Sequence, residues 1–205
     1  MEIVYDFLEG RCDYQSFKDH LYCNDDVFNW LQSLYCEDML KDKTFRCANA
    51  LWRADGNVKV AIKNLECGIG VYNKNDMYNF IYWFLSYVFP EKCVQKIDFY
   101  EKLARLYTDS VPDCFGGPEV DSLISDIIES APDSLSKTQR VRFVKSKLNE
   151  MFPWKKRPFW VEMPEWPTCN GKPMEYISKK VEGDLFLYLF RDSETGEERI
   201  IKQFA

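Results

Sequence analysis

Apolar side chains recur at helical spacing from the N-terminus to about residue 152, and this pattern predicts a series of amphipathic helices. Polar residues that can accept hydrogen bonds from free backbone N–H groups precede several of these stretches. The expected N-caps are Asn24, Asn57, Asn75 and Ser136. Gln139 stands three residues after Ser136, so this pair is expected to form a capping box. The prolines expected to end helices are Pro90, Pro112 and Pro132.

A further helix is expected to begin at the Gly116–Gly117–Pro118 sequence. Proline suits the first helical position because its missing N–H has no intrahelical acceptor there. The apolar face of this helix comprises Val120, Leu123, Ile124, Ile127 and Ile128.

The pattern changes after Pro153. Residues 153–173 hold five prolines and three tryptophans, which predicts an extended connector in place of a helix. Segments 174–181, 185–191 and 198–204 then favour strands, with turn residues at 182–184 and 192–196. A sheet this small is marginal alone, so one face is expected to pack on the helices. The predicted fold class is α+β: a helical domain at 1–152, a connector at 153–173 and an antiparallel three-stranded meander at 174–205.

The six tryptophans fall into two groups. Trp30, Trp52 and Trp83 lie among apolar residues at helical spacing and are expected in the core. The connector contains Trp154, Trp160 and Trp166, which are expected to anchor this segment to the helices. An interface role for these three is the alternative, since exposed tryptophan often dominates binding energy.

The amino-acid composition limits the classes of protein to which the chain can belong. With 46% hydrophobic and 16% aromatic residues, the 205-residue chain is expected to fold rather than stay disordered. A net charge of −6 opposes general nucleic-acid binding and suits a basic protein partner. The apolar run at 80–89 is too short to span a bilayer, which takes about 20 residues. No membrane partner is expected, and the oligomeric state stays open.

The cysteines favour a reduced, cytoplasmic protein. They are scattered without a CxxC pair, and the N-terminal residues lack the pattern of a signal peptide. Their positions are Cys12, Cys23, Cys36, Cys47, Cys67, Cys93, Cys114 and Cys169.

A sharp reversal of charge lies between residues 106 and 157. Seven carboxylates occur first, with no lysine or arginine among them: Asp109, Asp113, Glu119, Asp121, Asp126, Glu129 and Asp133. Eight cations follow, opposed only by Glu150: Lys137, Arg140, Arg142, Lys145, Lys147, Lys155, Lys156 and Arg157. Charge blocks of this kind set fields and select partners.

The two blocks allow three interpretations. They lie on consecutive helices, so opposite charges can simply pair across the interface between the two helices, which adds little stability. An exposed acidic block would instead dock a basic protein through the seven carboxylates. An exposed basic block, aided by Trp154, Phe159 and Trp160, would bind a nucleic acid by phosphate contacts and base stacking.

Candidates for catalysis and metal binding are sparse. His20 and Cys23 have the spacing of one helical face, but no orienting group accompanies them. Zinc would need four ligands, and Cys12, His20, Cys23 and Cys36 fit no common zinc-module spacing. We therefore expect no catalytic residues, no metal and no cofactor, with an enzyme of unrecognised type as an alternative.

Four segments resemble bacterial proteins of the polymorphic-toxin immunity type. They are DCFGGPEV at 113–120, LSKT at 135–138, PEWP at 164–167 and NGKPM at 170–174, and the resemblance covers mainly residues 100–205. It implies a bacterial cytoplasmic protein that binds and neutralises a cognate toxin domain and has no active site of its own. A nuclease with a basic cleft is one such partner, because an acidic inhibitor could occupy that cleft as a phosphate mimic.

Overall fold

Helices occupy most of the chain up to Met151 and a three-stranded antiparallel sheet follows, which confirms the predicted α+β class. The computed structural model describes residues 1–66, 70–92 and 94–205. It divides into two compact units, Met1–Lys102 and Leu103–Ala205. The boundary lies well before residue 152, where the sequence pattern changes from helical to extended. Cys67 and Cys93 lie outside the described residues.

All the regular secondary structure in the described part of the first unit is helical. Its α-helices are α1 (Glu2–Leu8), α2 (Tyr14–Cys23), α3 (Asp26–Leu34), α4 (Ala48–Trp52), α5 (Val58–Leu65) and α6 (Gly70–Val88). Short 3₁₀ helices lie at Glu37–Lys41 and Pro90–Lys92. The next helix, α7 (Phe99–Ser110), contains the boundary between the two units.

Aromatic packing forms the core of the first unit. The Phe7 ring of α1 stacks on Phe17 of α2, with 4.2 Å between ring centroids. Tyr78 of α6 meets the same Phe7 ring edge-on. Its hydroxyl donates to the Leu8 carbonyl and accepts from the Ile97 N–H, so the buried phenol is satisfied. These contacts bury the apolar faces of α1, α2 and α6 together.

Hydrogen bonds at the caps confirm two of the predicted N-caps, Asn57 and Ser136. Asn57 accepts from the Val60 N–H at the start of α5. Ser136 and Gln139 form the reciprocal capping box at the start of α9 (Lys137–Met151). Asn24 accepts from the Asp26 N–H, although it stands one residue before the N-cap position of α3.

Two predicted helix starts are wrong. Asn75 lies inside α6 because apolar contacts extend that helix back beyond it, with Val71 fully buried. Pro118 lies in the turn before α8 (Asp121–Glu129), not at its first position. That turn is closed by a hydrogen bond from the Val120 N–H to the Gly117 carbonyl.

The second unit adds the sheet. After α8 and α9, a small hairpin pairs β1 (Thr168–Cys169) with β2 (Lys172–Pro173). The sheet has the order β3–β4–β5, from β3 (Glu175–Glu182), β4 (Leu185–Arg191) and β5 (Glu198–Phe204). Both pairings are antiparallel, with Tyr188 opposite Lys179 and Ile201, and a bulge follows Tyr176 in β3. The three predicted strands are therefore confirmed to within a residue.

One face of the sheet packs on the connector tryptophans. Trp160 lies over Tyr188 and Phe190, with centroid distances of 4.8 and 5.8 Å. The Trp166 ring is 1% exposed and meets Phe190 edge-on. Trp166 also contacts Phe152, which follows α9, so the sheet is joined to the helices through the connector. The buried side chains at positions 188 and 190 follow from the alternation along β4.

The tryptophans of the first unit are less buried than expected. Trp52 is 72% exposed, so its assignment to the core is wrong. It is the last residue of α4, where Leu51 takes the fully buried position next to it. Trp30 and Trp83 are half-buried, and the Arg46 guanidinium lies 3.8 Å from the centre of the Trp83 ring.

No helix within the described ranges is long and apolar enough to cross a membrane.

Candidate docking surface

The amphipathic pattern of α8 turns carboxylates outward. Ile124 and Ile128 are fully buried on its inner side. Asp126 and Glu129, three residues apart, are exposed on the opposite side. Asp133, just beyond the helix, has a side chain that is 77% exposed. We call Asp126, Glu129 and Asp133 the acidic strip.

The first cations of the basic block (Lys137 to Arg157) pair with two carboxylates of the acidic block (Asp109 to Asp133). The Lys137 ammonium lies 2.9 Å from the Asp109 carboxylate, and the Arg140 guanidinium lies 3.1 Å from Asp133. Pairing of opposite charges across consecutive segments is therefore realised at these two positions. Exposed pairs of this kind contribute about 0–1 kcal/mol each, so they hold the block in place only weakly.

Glu119 makes its contacts within the second unit. Its carboxylate accepts from the Thr168 N–H at 2.7 Å and from the Thr168 hydroxyl at 2.8 Å. Arg199 of β5 donates to both of its oxygens, at 3.0 and 3.1 Å. Desolvation alone would raise the pKa of Glu119, but the Thr168 hydrogen bonds and the Arg199 charge hold that pKa below its ordinary value. This carboxylate connects the turn before α8 to β1 and β5.

The Asp121 carboxylate also makes a hydrogen bond to the turn before α8. Its Oδ1 accepts from the Gly117 N–H at 3.1 Å, and desolvation raises the pKa of its carboxyl. Gly117 has φ of +120°, and a Cβ there would come within 2.9 Å of the Glu165 Cα and the Pro164 carbonyl oxygen. The neighbouring Gly116 carbonyl accepts from the Trp166 N–H at 2.9 Å. Gly117 thus allows the connector to approach this turn closely, a role that the sequence alone did not indicate.

The seven predicted contact residues therefore have different surroundings. Glu119 and Asp121 are hydrogen-bonded in and around the α8 turn, and Asp109 is paired with Lys137. The acidic strip and Asp113 are exposed, and within the strip Asp133 is paired with Arg140.

The basic block is exposed along much of α9 and in the residues that follow this helix. Its exposed cations include Arg142, Lys145, Lys147, Lys155 and Lys156. The Arg157 guanidinium is held inside the fold, donating to the Phe152 carbonyl at 2.8 Å and lying 4.9 Å from the centre of the Phe115 ring. Arg157 is therefore counted with the connector and not with the exposed cations.

The aromatic residues expected to stack on bases mostly make contacts within the fold instead. The Trp160 indole N–H donates to the Cys114 carbonyl at 3.0 Å, and its ring packs on the sheet. Trp154 is half-buried, whereas Phe159 is 82% exposed. Of the three aromatic side chains, Phe159 alone presents most of its surface to solvent.

The sequence candidates for catalysis lie on the surface. His20 and Cys23 are both exposed on α2, and Cys36 is exposed beyond α3. Over residues 1–66, 70–92 and 94–205, no group of three His, Cys, Asp or Glu side chains is arranged to hold a metal ion.

No family model, curated protein or solved structure matches this chain.

Proposed function

We propose that this chain is a protein-binding, immunity-type protein that neutralises a cognate toxin domain by docking an acidic surface. The observation that supports this proposal is the exposed acidic strip, Asp126, Glu129 and Asp133. The buried side of α8 fixes the backbone of Asp126 and Glu129, so these two carboxylates are presented from a rigid element. The cytoplasm of a bacterium is the proposed location.

The proposed mechanism is occlusion. A basic cleft on the toxin domain attracts the acidic strip over several ångströms in low salt, which raises the association rate. Once docked, the inhibitor fills the cleft and excludes the substrate. Because this role needs a shaped surface and no reacting groups, the chain itself performs no chemistry.

A charge-matched pair of variants tests the site. In the first, Asp126→Asn, Glu129→Gln and Asp133→Asn remove three negative charges from the acidic strip. In the second, Glu162→Gln, Glu165→Gln and Asp184→Asn remove three exposed negative charges elsewhere in the second unit. Affinity for the proposed cognate toxin domain, sought first among the products of neighbouring genes, is measured by calorimetry.

We expect the acidic-strip variant to bind at least tenfold more weakly, a change of about 1.4 kcal/mol. The matched control should lose much less, because it changes net charge but not the docking surface. Equal losses would show that only net charge matters and would remove the acidic strip as the site.

The exposed cations after residue 140 favour nucleic-acid binding as a second candidate function. Retention of the full chain on a heparin column at moderate salt, abolished by Lys155→Gln with Lys156→Gln, would support it. Flow-through of the unmodified chain would exclude a phosphate-binding surface of useful strength.

A further inference from the structure

A pocket of about 180 Å³ lies between the end of α7, one side of α9 and the connector. Its lining residues are Ser110, Pro112, Phe115, Lys145, Leu148, Asn149 and Arg157. All of them belong to the second unit. The volume exceeds what a few water molecules need and suits a small ligand.

Two cations flank this pocket without carboxylate partners. In the described part of the chain, neither Lys145 nor Arg157 forms an ion pair with Asp or Glu, although many other surface cations do. Arg157 is positioned by hydrogen bonds to the Phe152 and Lys156 carbonyls, which use two of its five N–H donors. The remaining donors of a guanidinium held in this way suit an oxyanion.

Ser110 supplies an independent indication of a ligand. This serine is 2% exposed, yet its hydroxyl has no hydrogen-bond partner. Buried hydroxyls are almost always paired, and an unpaired one is costly to desolvate. A ligand oxygen in the pocket would accept from this hydroxyl and remove the deficit. Asn149, four residues after Lys145 on the same side of α9, adds an amide donor.

Part of the pocket wall is apolar. Pro112, Phe115 and Leu148 present carbon surface, and the Phe115 ring is fixed by stacking on Phe152 at a centroid distance of 4.0 Å. Bare phosphate or acetate would leave that wall uncovered. A ligand with a negatively charged oxygen group at one end and a small hydrocarbon portion at the other would match both the polar and the apolar lining residues.

We propose that this pocket binds a small organic oxyanion. Its charged oxygens lie between Lys145 and Arg157 and accept from Ser110 and Asn149, and its hydrocarbon part lies on Phe115 and Leu148. The carbonyl end of α7 opposes an anion weakly, and the two cations outweigh it because they are full charges. This site is independent of the acidic strip and of the toxin that the strip is proposed to bind.

The test uses the full chain and two-dimensional amide NMR, with benzoate, acetate and inorganic phosphate added separately at millimolar concentration. We expect saturable shifts with benzoate that centre on the amides of Ser110, Phe115, Lys145 and Asn149. Benzoate should bind about tenfold more tightly than acetate or phosphate because only it covers the apolar wall.

Two variants and a matched control locate the contacts. Lys145→Gln should weaken benzoate binding about tenfold, the loss expected for one charge-assisted hydrogen bond. Lys147→Gln, on the same helix but paired with Glu150 and outside the pocket, should leave binding unchanged. Ser110→Ala should weaken binding while keeping or raising the melting temperature, which a purely structural serine would not do.

Three results would overturn the proposal. The first is the absence of saturable shifts at these amides with any of the three anions. The second is an equal effect of the Lys145 and Lys147 variants, which would indicate diffuse attraction to the basic helix. The third is equal affinity for benzoate and phosphate, which would remove the organic part of the assignment.

Discussion

Arg199 donates to both carboxylate oxygens of Glu119, across 80 residues of sequence. The pair joins the turn before α8 to β5, and Thr168 completes the carboxylate's hydrogen bonds from β1. Part of the acidic block therefore organises the second unit. The acidic surface available for docking is correspondingly smaller than the block in the sequence.

Replacing Glu119 by alanine is expected to lower the free energy of unfolding by about 1–2 kcal/mol. The loss combines charge-assisted hydrogen bonds with an ion pair that solvent partly screens. Chemical denaturation measures it. The control is Glu198→Ala, whose carboxylate pairs with Arg191 at the exposed start of β5 and should cost about 0–1 kcal/mol. Equal costs would show that Glu119 is only another surface charge.

Gly117→Ala should destabilise the chain by about 2–4 kcal/mol, because a positive φ and a steric clash with the connector act together. Gly196→Ala is the matched control. Gly196 also has a positive φ, of +76°, but nothing lies within 4 Å of an added Cβ. Its cost should be limited to about 1 kcal/mol of backbone strain. Thermal melts that shift by the same amount for both variants would contradict the close approach at Gly117.

Acid should destabilise the second unit through Asp192 and Glu119. Hydrogen bonds from the Thr195 hydroxyl and N–H lower the pKa of Asp192, and the pKa of Glu119 is lowered as well. Groups with depressed folded-state pKa stabilise the fold above their unfolded pKa of about 4, and this stability is lost as pH falls through the folded values. Unfolding free energy should therefore decrease from about pH 4 downward.

Asp192→Asn isolates one contribution to this acid dependence. The amide oxygen can still accept the turn hydrogen bonds, but the side chain no longer titrates. The variant should be less stable at neutral pH and should show a shallower fall in unfolding free energy below about pH 4. A slope identical to that of the unmodified chain would exclude Asp192 as a source of the acid sensitivity.

Truncation of Trp166 should cost far more stability than truncation of Trp52. Trp166→Ala removes a ring that is 1% exposed and should cost about 3–5 kcal/mol. Trp52→Ala removes a ring that is 72% exposed and should change stability by about 0.5 kcal/mol or less. Denaturant midpoints distinguish the two. A large loss at Trp52 would mean that its ring is covered in solution.

Local signals predicted most elements of this fold. Ser136 and Gln139 satisfy each other's free backbone groups within one helical turn, so the capping box could be recognised from four residues. The strands were equally accessible, because alternation and turn residues mark β3, β4 and β5 without reference to distant segments. The start of α6 was missed because burial of Val71, a long-range effect, outweighs the capping preference of Asn75.

The candidate site depended more on long-range contacts. The exposure of Asp126 and Glu129 follows from the helical spacing of Ile124 and Ile128, which the sequence displays. The partnership of Glu119 with Arg199 and the tight approach at Gly117 involve segments that meet only in the folded chain. No local sequence pattern indicates contacts between such distant segments. The same holds for the pocket at Ser110, whose residues come from a helix end, a second helix and the connector.

The most direct test of the acidic docking surface is the association rate with the proposed cognate toxin domain, measured by stopped flow over a range of salt concentrations. Electrostatic steering predicts that the rate falls steeply as salt rises. The variant lacking the carboxylates of Asp126, Glu129 and Asp133 should associate more slowly at low salt and show a flatter dependence. A rate that does not change with salt, and is the same for both proteins, would contradict docking through the acidic strip.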